Sequence, residues 1–339
     1  MSRVARLRFS VGALCLILAV TLAGCGGGGG SESGGGESGG GGGASGEIAI
    51  EGSSTVQPIS QAAAEAFREQ NSDVQISVGG AGTGDGFEAF CAGDTQISDA
   101  SRPIEEEEIA ACEESGIEYI ELPVAYDGIS VVVNREGNDW AQDITSEELA
   151  AMWEPEAEGQ ISTWQQVRAD WPDNPLSLFG PGSESGTFDF FTEVIVGEEG
   201  ASRTDYEASE DDNVLVQGVS GDANALGYFG FAYYENNTDA LRALPVDGVE
   251  PNNETIQSRE YPLSRPLFIY VSVKALEENP AVEEFVDFYI SEETLPRLVE
   301  AARYVELPED KAQETRQRFE DRTPGSGSGE TTMMMEETN

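Results

Sequence analysis

Four times along this sequence a strand-like run gives way to a helix-like one across a few glycines and hydroxyl residues. The junctions are Gly52-Ser53-Ser54-Thr55, Gly80-Ala81-Gly82-Thr83-Gly84-Asp85-Gly86, Ser98-Asp99-Ala100-Ser101-Arg102-Pro103 and Gly182-Ser183-Glu184-Ser185-Gly186-Thr187. Around them, Glu47 to Glu51 and Asp73 to Val78 read as strands, and Ile129 to Val133 and Leu267 to Val273 as β-branched strand runs. One helix carries Ala62, Ala63, Ala66 and Phe67 on one side, and another carries Phe87 and Phe90. Segments from Ser146, Ala281 and Glu292 read as helices with Ser or Asn-Pro starts. Strand, loop and helix repeated in this way predict an α/β sheet with ligands at the C-terminal edge of its strands.

Such junctions can hold a small anion. The first backbone N–H groups of a helix lack partners within the helix, and the macrodipole places partial positive charge there. Ser and Thr hydroxyls add donors, and Gly lets the main chain approach an oxyanion closely. Arg102 offers a planar fork suited to two oxygens of one anion. Taken singly, each junction is an ordinary helix cap and Arg102 an ordinary ion-pair partner. Four junctions with one Arg point instead to an anion site. Gly80 to Gly86 matches a dinucleotide fingerprint only loosely, and the Gly-x-x-x-x-Gly-Lys-Ser/Thr run of a nucleotide P-loop is missing.

Composition narrows the chemistry. The 339 residues include 64 acidic and 18 basic side chains, for a formal charge of −46, and no His. Only Lys274 and Lys311 are lysines. An acidic chain of this kind does not suit nucleic acid, whose phosphates need a basic face. Without His there is no Ser-His-Asp or Cys-His catalysis and no His-ligated zinc. The acid excess keeps the chain hydrated and monomeric and is the composition of a high-salt habitat. Any anion site must then work by local dipoles, because the global field opposes it.

The two ends read as address and tail. Arg3, Arg6 and Arg8 precede an apolar run from Val11 to Ala23, too short for the ~20 residues a bilayer span needs, and Leu22-Ala23-Gly24-Cys25 closes it. Residues 1–25 are thus a signal peptide ending in a Cys, and 26–46 form a Gly/Ser/Glu-rich flexible tether. Residues 323–339 read as a disordered tail, which leaves a folded unit of about 47 to 322. Cys91 and Cys112 lie within that unit. In the oxidising compartment to which a signal peptide leads, a disulfide is their default state, and a reactive thiol pair is the alternative. Trp140, Trp153, Trp164 and Trp171 read as core or lobe-surface residues rather than a stacking platform for bases.

These residues carry a resemblance. The segments Gly52-Ser-Ser-Thr-Val-x-Pro58, Gly82-Thr-Gly-x-Gly-Phe87 and Phe90-Cys-Ala-Gly-Asp94 are followed by Ser98-Asp-Ala-Ser-Arg-Pro103 and Pro123-Val-Ala-Tyr-Asp-Gly128. Val131-Val-Val-Asn134, Ser185-Gly-Thr-Phe-Asp-Phe-Phe191, Gly227-Tyr-Phe-Gly230 and Tyr261-Pro-Leu-Ser-Arg-Pro266 complete the series. Together, over about 47 to 305, they resemble the phosphate-binding proteins of bacterial and archaeal phosphate ABC transporters, within the periplasmic binding protein superfamily. The resemblance implies a two-lobed periplasmic-binding-protein fold (type II), each lobe a mixed sheet flanked by helices. Lobe 1 would comprise 47–124 and 265–322 and lobe 2 would comprise 125–264, with crossover segments near Leu122 to Tyr126 and Tyr261 to Leu267.

The resemblance also implies a ligand set. Ser54 and Thr55 come from the first loop, Thr83 from the second, Ser101 and Arg102 from the third, and Ser185, Gly186 and Thr187 from the second lobe. One branch of the family has an Arg just ahead of Ser-Gly-Thr, where this chain has Pro181 and Gly182, so Arg102 is left as the cationic contact. That branch also has an Asp acceptor where Ser101 aligns, so the acceptor for the phosphate proton falls to Asp85, Asp99 or Glu184. The Leu-Ala-Gly-Cys end resembles a lipobox, which implies a lipid on Cys25 that anchors without spanning.

The expectation is therefore an extracytoplasmic, lipid-anchored monomer, on the periplasmic side or the cell surface. It captures inorganic phosphate non-covalently and delivers it to a membrane permease, with no cofactor, metal, nucleic-acid partner or catalysis. Three alternatives stand beside it. One is a receptor for sulfate, molybdate or tungstate, and another is a phosphate-ester hydrolase using Ser185 or Thr187 without a His base. The third is a sensor or adhesion lipoprotein.

Overall fold

The computed structural model describes residues 45–327. The signal segment, Cys25 and nearly all of the tether lie outside the described residues, as do residues 328–339. Nine strands form the sheet: β1 (Gly46–Gly52), β2 (Val74–Val78), β3 (Ile97–Ala100), β4 (Tyr119–Asn134), β5 (Ser177–Gly180), β6 (Glu207–Ala208), β7 (Ala225–Gly230), β8 (Leu241–Ala243) and β9 (Ser264–Ser272). Their spatial order is β2-β1-β3-β9-β4-β7-β5-β6, with β8 also on β4. β1 runs parallel to β2 and β3, and β5 runs parallel to β6 and β7. β9 is antiparallel to both β3 and β4.

The four glycine and hydroxyl junctions all fall between a strand and a helix. β1 leads to α1 (Gln57–Arg68), β2 to α2 (Thr83–Ala92), and β3 to α3 (Glu106–Ser115). Beyond α4 (Ser146–Trp153) and α5 (Trp164–Val167), β5 leads to α6 (Gly186–Phe191), and α7 (Asp212–Gly221) precedes β7. α1 starts with Pro58 in its first turn, a position where the missing N–H costs nothing, and buries Ile59, Ala63, Ala64 and Phe67 at helical spacing. α2 and α3 each stop at a left-handed glycine, Gly93 and Gly116, which accept positive φ without a Cβ penalty.

Two large cores stand out among the four buried apolar clusters of the described residues. The first packs Ile48, Ile50, Phe67, Ile97, Leu122, Ile269 and Phe285 between the β1–β3 region and the helices α1 and Pro280–Tyr289. The second packs Ile129, Val131, Trp153, Trp164, Phe191 and Tyr228 around β4, β5 and β7. Trp140, Trp164 and Trp171 meet edge to face with centroids 4.8 to 5.5 Å apart, and Trp153 meets Phe191, Tyr206 and Tyr228. Trp153, Trp164 and Trp171 are buried in this core, and Trp140 is half-buried against it. β4 belongs to both cores: it pairs with β9 from Tyr119 to Gly128 and then continues against β7 and β8.

The first residues beyond helix Glu309–Glu320 return to the sheet. Gly325 N donates to Tyr119 O at 2.7 Å and Gly327 N donates to Glu121 Oε1 at 3.2 Å, so the segment Thr323–Gly327 lies along the start of β4. No helix among the described residues is long and apolar enough to cross a membrane.

Cys91 of α2 and Cys112 of α3 form a disulfide. It joins the two helices that follow the second and third anion-type loops and closes a loop with a sequence separation of 21. In the chain-entropy account this stabilises by roughly 3 kcal/mol. The double substitution Cys91→Ser with Cys112→Ser should lower the unfolding free energy by about that amount in guanidinium titrations. An unchanged midpoint would show that the reference state is already compact there.

Candidate functional site

The C-terminal ends of β1, β2 and β3 bring three loops side by side. Gly82 N donates to Gly52 O at 2.9 Å, and Ser53 N donates to Asp99 O at 2.8 Å, which ties the first loop to the other two. At Gly52, with φ +143°, and at Gly86 a Cβ would strike neighbouring main chain, so this close stacking requires glycine at both positions. Thr83 Oγ1 lies 3.1 Å from Ser101 Oγ and accepts from Ser101 N at 3.2 Å. Thr83, Ser101 and Arg102 therefore form one group beside Gly52.

Arg102 is already engaged within that group. Its Nη1 and Nη2 donate to the two carboxylate oxygens of Glu108 at 2.9 and 2.8 Å, and its Nε lies 3.3 Å from Glu105. Glu108 also accepts from Glu105 N at 2.9 Å as the third residue of a capping box on α3. One carboxylate thus caps a helix and holds the arginine fork. Pro103 O takes the second Nη1 hydrogen at 3.1 Å, so most of the donors of this fork are already used within the protein.

The first loop faces the loop after β5 across a cavity of about 540 Å³. Ser54 and Thr55 line it from one side, and Glu184, Ser185, Gly186 and Thr187 from the other. Ser185 caps α6, with its Oγ accepting from Thr187 N at 3.2 Å. A Cβ on Gly186 would collide with Thr55 Oγ1 and lie 3.0 Å from Ser54 Oγ and 3.1 Å from Thr55 N. Only glycine lets the two loops come this close.

A residue given no role at the sequence level sits between them. Arg265 of β9 is buried, and its Nη2 donates to Thr55 Oγ1 at 2.6 Å and to Gly186 O at 2.9 Å. Its Nε donates to Asp127 Oδ2 at 3.2 Å, and its guanidinium carbon lies 4.1 Å from the centroid of Phe190. Tyr304 OH donates to Thr55 O at 2.9 Å, and Thr55 N donates to Ser53 Oγ at 3.2 Å. The signal available was the Ser-Arg-Pro segment at 264–266, quoted above only as part of a resemblance. Arg303, on the loop after the helix Leu295–Ala301, lines the same cavity and was likewise missed.

The three carboxylates considered as acceptors sit in different places. Asp85 is exposed in the first turn of α2, whereas Glu184 is exposed and lines the cavity. Asp99 is fully buried behind the first loop, where its Oδ1 accepts from Ser60 Oγ at 2.8 Å and Oδ2 has no partner. Burial pushes its pKa up to about 8, so at neutral pH it carries its proton. Four further carboxylates line the cavity: Asp127, Glu210, Asp211 and Asp212. Burial raises Asp127 despite Arg265, and raises Asp212 to about 6. Among the described residues no group of three or more His, Cys, Asp or Glu side chains is placed to hold a metal ion.

Two α/β cores joined by paired crossing strands, with hydroxyl-rich loops meeting between them, define a solute-binding architecture. The PBP superfamily domain matches residues 38–293. Protein SphX of Synechocystis sp. is 50% identical over 271 residues, 78% of this chain and 80% of that protein. The phosphate-binding protein PstS of Staphylococcus aureus is 38% identical over 269 residues, 78% of this chain and 79% of its own. The crystal structure of a possible phosphate binding protein from Planctomyces limnophilus superposes with a TM-score of 0.78 at 44% identity, covering 83% of this chain and 99% of that one. The chain belongs to the PBP superfamily, and its relatives include proteins named as phosphate-binding.

Asp99 yields a test independent of any ligand. The folded chain keeps a proton up to about pH 8 that the unfolded chain releases near 3.8, so folding stability falls as pH rises through that window. Asp99→Asn mimics the neutral form. Its melting temperature should match the unmodified protein at the acidic end and exceed it increasingly toward pH 8.5, as followed by thermal scans. A constant offset at all pH values would count against the buried, protonated carboxyl.

Proposed function

We propose that this chain is an extracytoplasmic receptor that captures orthophosphate between its two halves and delivers it to the permease of an ABC transporter. The observation that carries this reading is the approach of Gly186 to Ser54 and Thr55, which closes two hydroxyl-bearing loops from separate cores around one cavity. The names of the relatives, PstS above all, point to the same ligand. In this reading Ser54, Thr55, Ser185, Gly186 and Thr187 form the inner shell. Thr83, Ser101 and Arg102 form an adjoining wall, with Arg102 released from Glu108 as the anion arrives. Closure excludes water, which strengthens each N–H and O–H contact to the dianion.

Dibasic phosphate keeps a proton and needs an acceptor, for which Glu184 is the candidate from the sequence that lines the cavity. Sulfate brings no such proton and meets only repulsion from that carboxylate. Cys25 would carry a lipid that holds the domain near the membrane, and residues 26–46 would act as its tether. The excess of acidic residues suits work in concentrated salt, where the Debye length shrinks and self-repulsion fades.

Titration calorimetry tests the reading. Inorganic phosphate should bind at one site, and excess sulfate should compete poorly. Gly186→Ala should weaken phosphate binding by about tenfold or more, since ~1.4 kcal/mol of obstructed closure is a factor of ten. Arg102→Ala should cost more than about 1.5 kcal/mol, the low end for a hydrogen bond to a charged group. Near-native affinity in Arg102→Ala would remove that residue from the ligand shell, and preference for sulfate would redirect the function to another tetraoxo anion.

A further inference from the structure

Arg265 links the two anion loops through one nitrogen. Its Nη2 donates at once to Thr55 Oγ1, in the loop after β1, and to Gly186 O, in the loop after β5. A hydroxyl has one hydrogen and two lone pairs, and a guanidinium cannot accept. At 2.6 Å from Nη2, Thr55 Oγ1 is therefore the acceptor of that bond, and its own proton is left to point elsewhere. Thr55 cannot turn freely to choose another arrangement. Its carbonyl is held by Tyr304 OH and its N–H by Ser53 Oγ, and the residue is 3% exposed. The Gly186 carbonyl, whose lone pairs would repel an anion, is turned onto the guanidinium.

We propose that Arg265 is a positioning residue: by donating to Thr55 Oγ1 and Gly186 O together, it makes the Thr55 hydroxyl a one-way donor toward an anion in the cavity and latches the loops that surround it. The inference rests on the reading of the cavity as an orthophosphate site. Arg265 is matched by the buried Asp127 carboxylate opposite it, so the device works through the direction of an O–H bond and not through net positive charge. Phe190 packs under the guanidinium and restricts its plane. Arg265 thereby acts on the ligand through Thr55.

A double-mutant cycle on the full chain, read by calorimetry with inorganic phosphate, tests this. Thr55→Val keeps the shape, loses the hydroxyl, and should weaken binding by about tenfold or more, whereas Thr55→Ser should restore most of the affinity. Arg265→Lys keeps the charge opposite Asp127 but loses the fork, and should weaken binding when Thr55 is present. On the Thr55→Val background it should cause little further loss. Losses that simply add would overturn the role of Arg265 while leaving the phosphate reading intact. Failure of the unmodified chain to bind phosphate at all would overturn both. If Arg265→Lys does not fold, the threonine variants still decide, because equal affinities for Thr55→Val and the unmodified chain sink the proposal.

Discussion

Every backbone ladder that connects the two cores runs through the antiparallel pairing of β4 with β9. Tyr119 to Gly128 lie opposite Ser272 to Ser264, and Asp127 stands directly across from Arg265 in that register. A slip of one residue would move each side chain of the pair to the other face. Arg265 would then lose Asp127, Thr55 and Gly186 together, and the loops after β1 and β5 would lose their common partner. The register shift between Pro123 and Ala125 falls just before this pair, where the strands pass from the first core toward the second.

The polar groups at this crossing are held by geometry more than by energy. Taking a carboxylate and a guanidinium out of water is costly, and the attraction between them only partly offsets it. Asp127 reflects this, since its pKa stays above the ordinary value even with Arg265 beside it. What the pair supplies is orientation. The same logic holds at Glu108, where one carboxylate serves the first turn of α3 and the fork of Arg102. In a chain with 64 acidic side chains, few bases are spared for a ligand, and each arginine near the cavity has to be kept from its neighbours or shared with them.

Much of the frame was legible because its signals are local. The four glycine and hydroxyl junctions do join strands to helices, since a helix start needs caps and a tight turn needs glycine whatever the rest of the chain does. The cysteines were readable from their count, and the tryptophans from their bulk. The site was legible only in part. Ser54, Thr55 and the Ser-Gly-Thr loop converge on the cavity, but Arg102 is met first by Glu108, and Asp99 is sealed behind the loop it supports. Nothing in the spacing marks Arg265 as the partner of Thr55, 210 residues away along the chain, or Asp127 as the partner of Arg265, 138 residues away. The bonds of Gly325 and Gly327 to the start of β4 are invisible for a related reason, since composition cannot reveal which strand edge a remote segment will meet.

Composition, hydrophobic period and turn chemistry determined on their own that this chain builds an α/β sheet, avoids His-based catalysis and places donor-rich loops at strand ends. These are properties of short windows, and short windows are visible in one dimension. Which donors face one another, which arginine bridges them and which carboxylate is neutral were decided by the tertiary structure alone. Each of those depends on distance and on exclusion of water, and both are set only when remote segments pack.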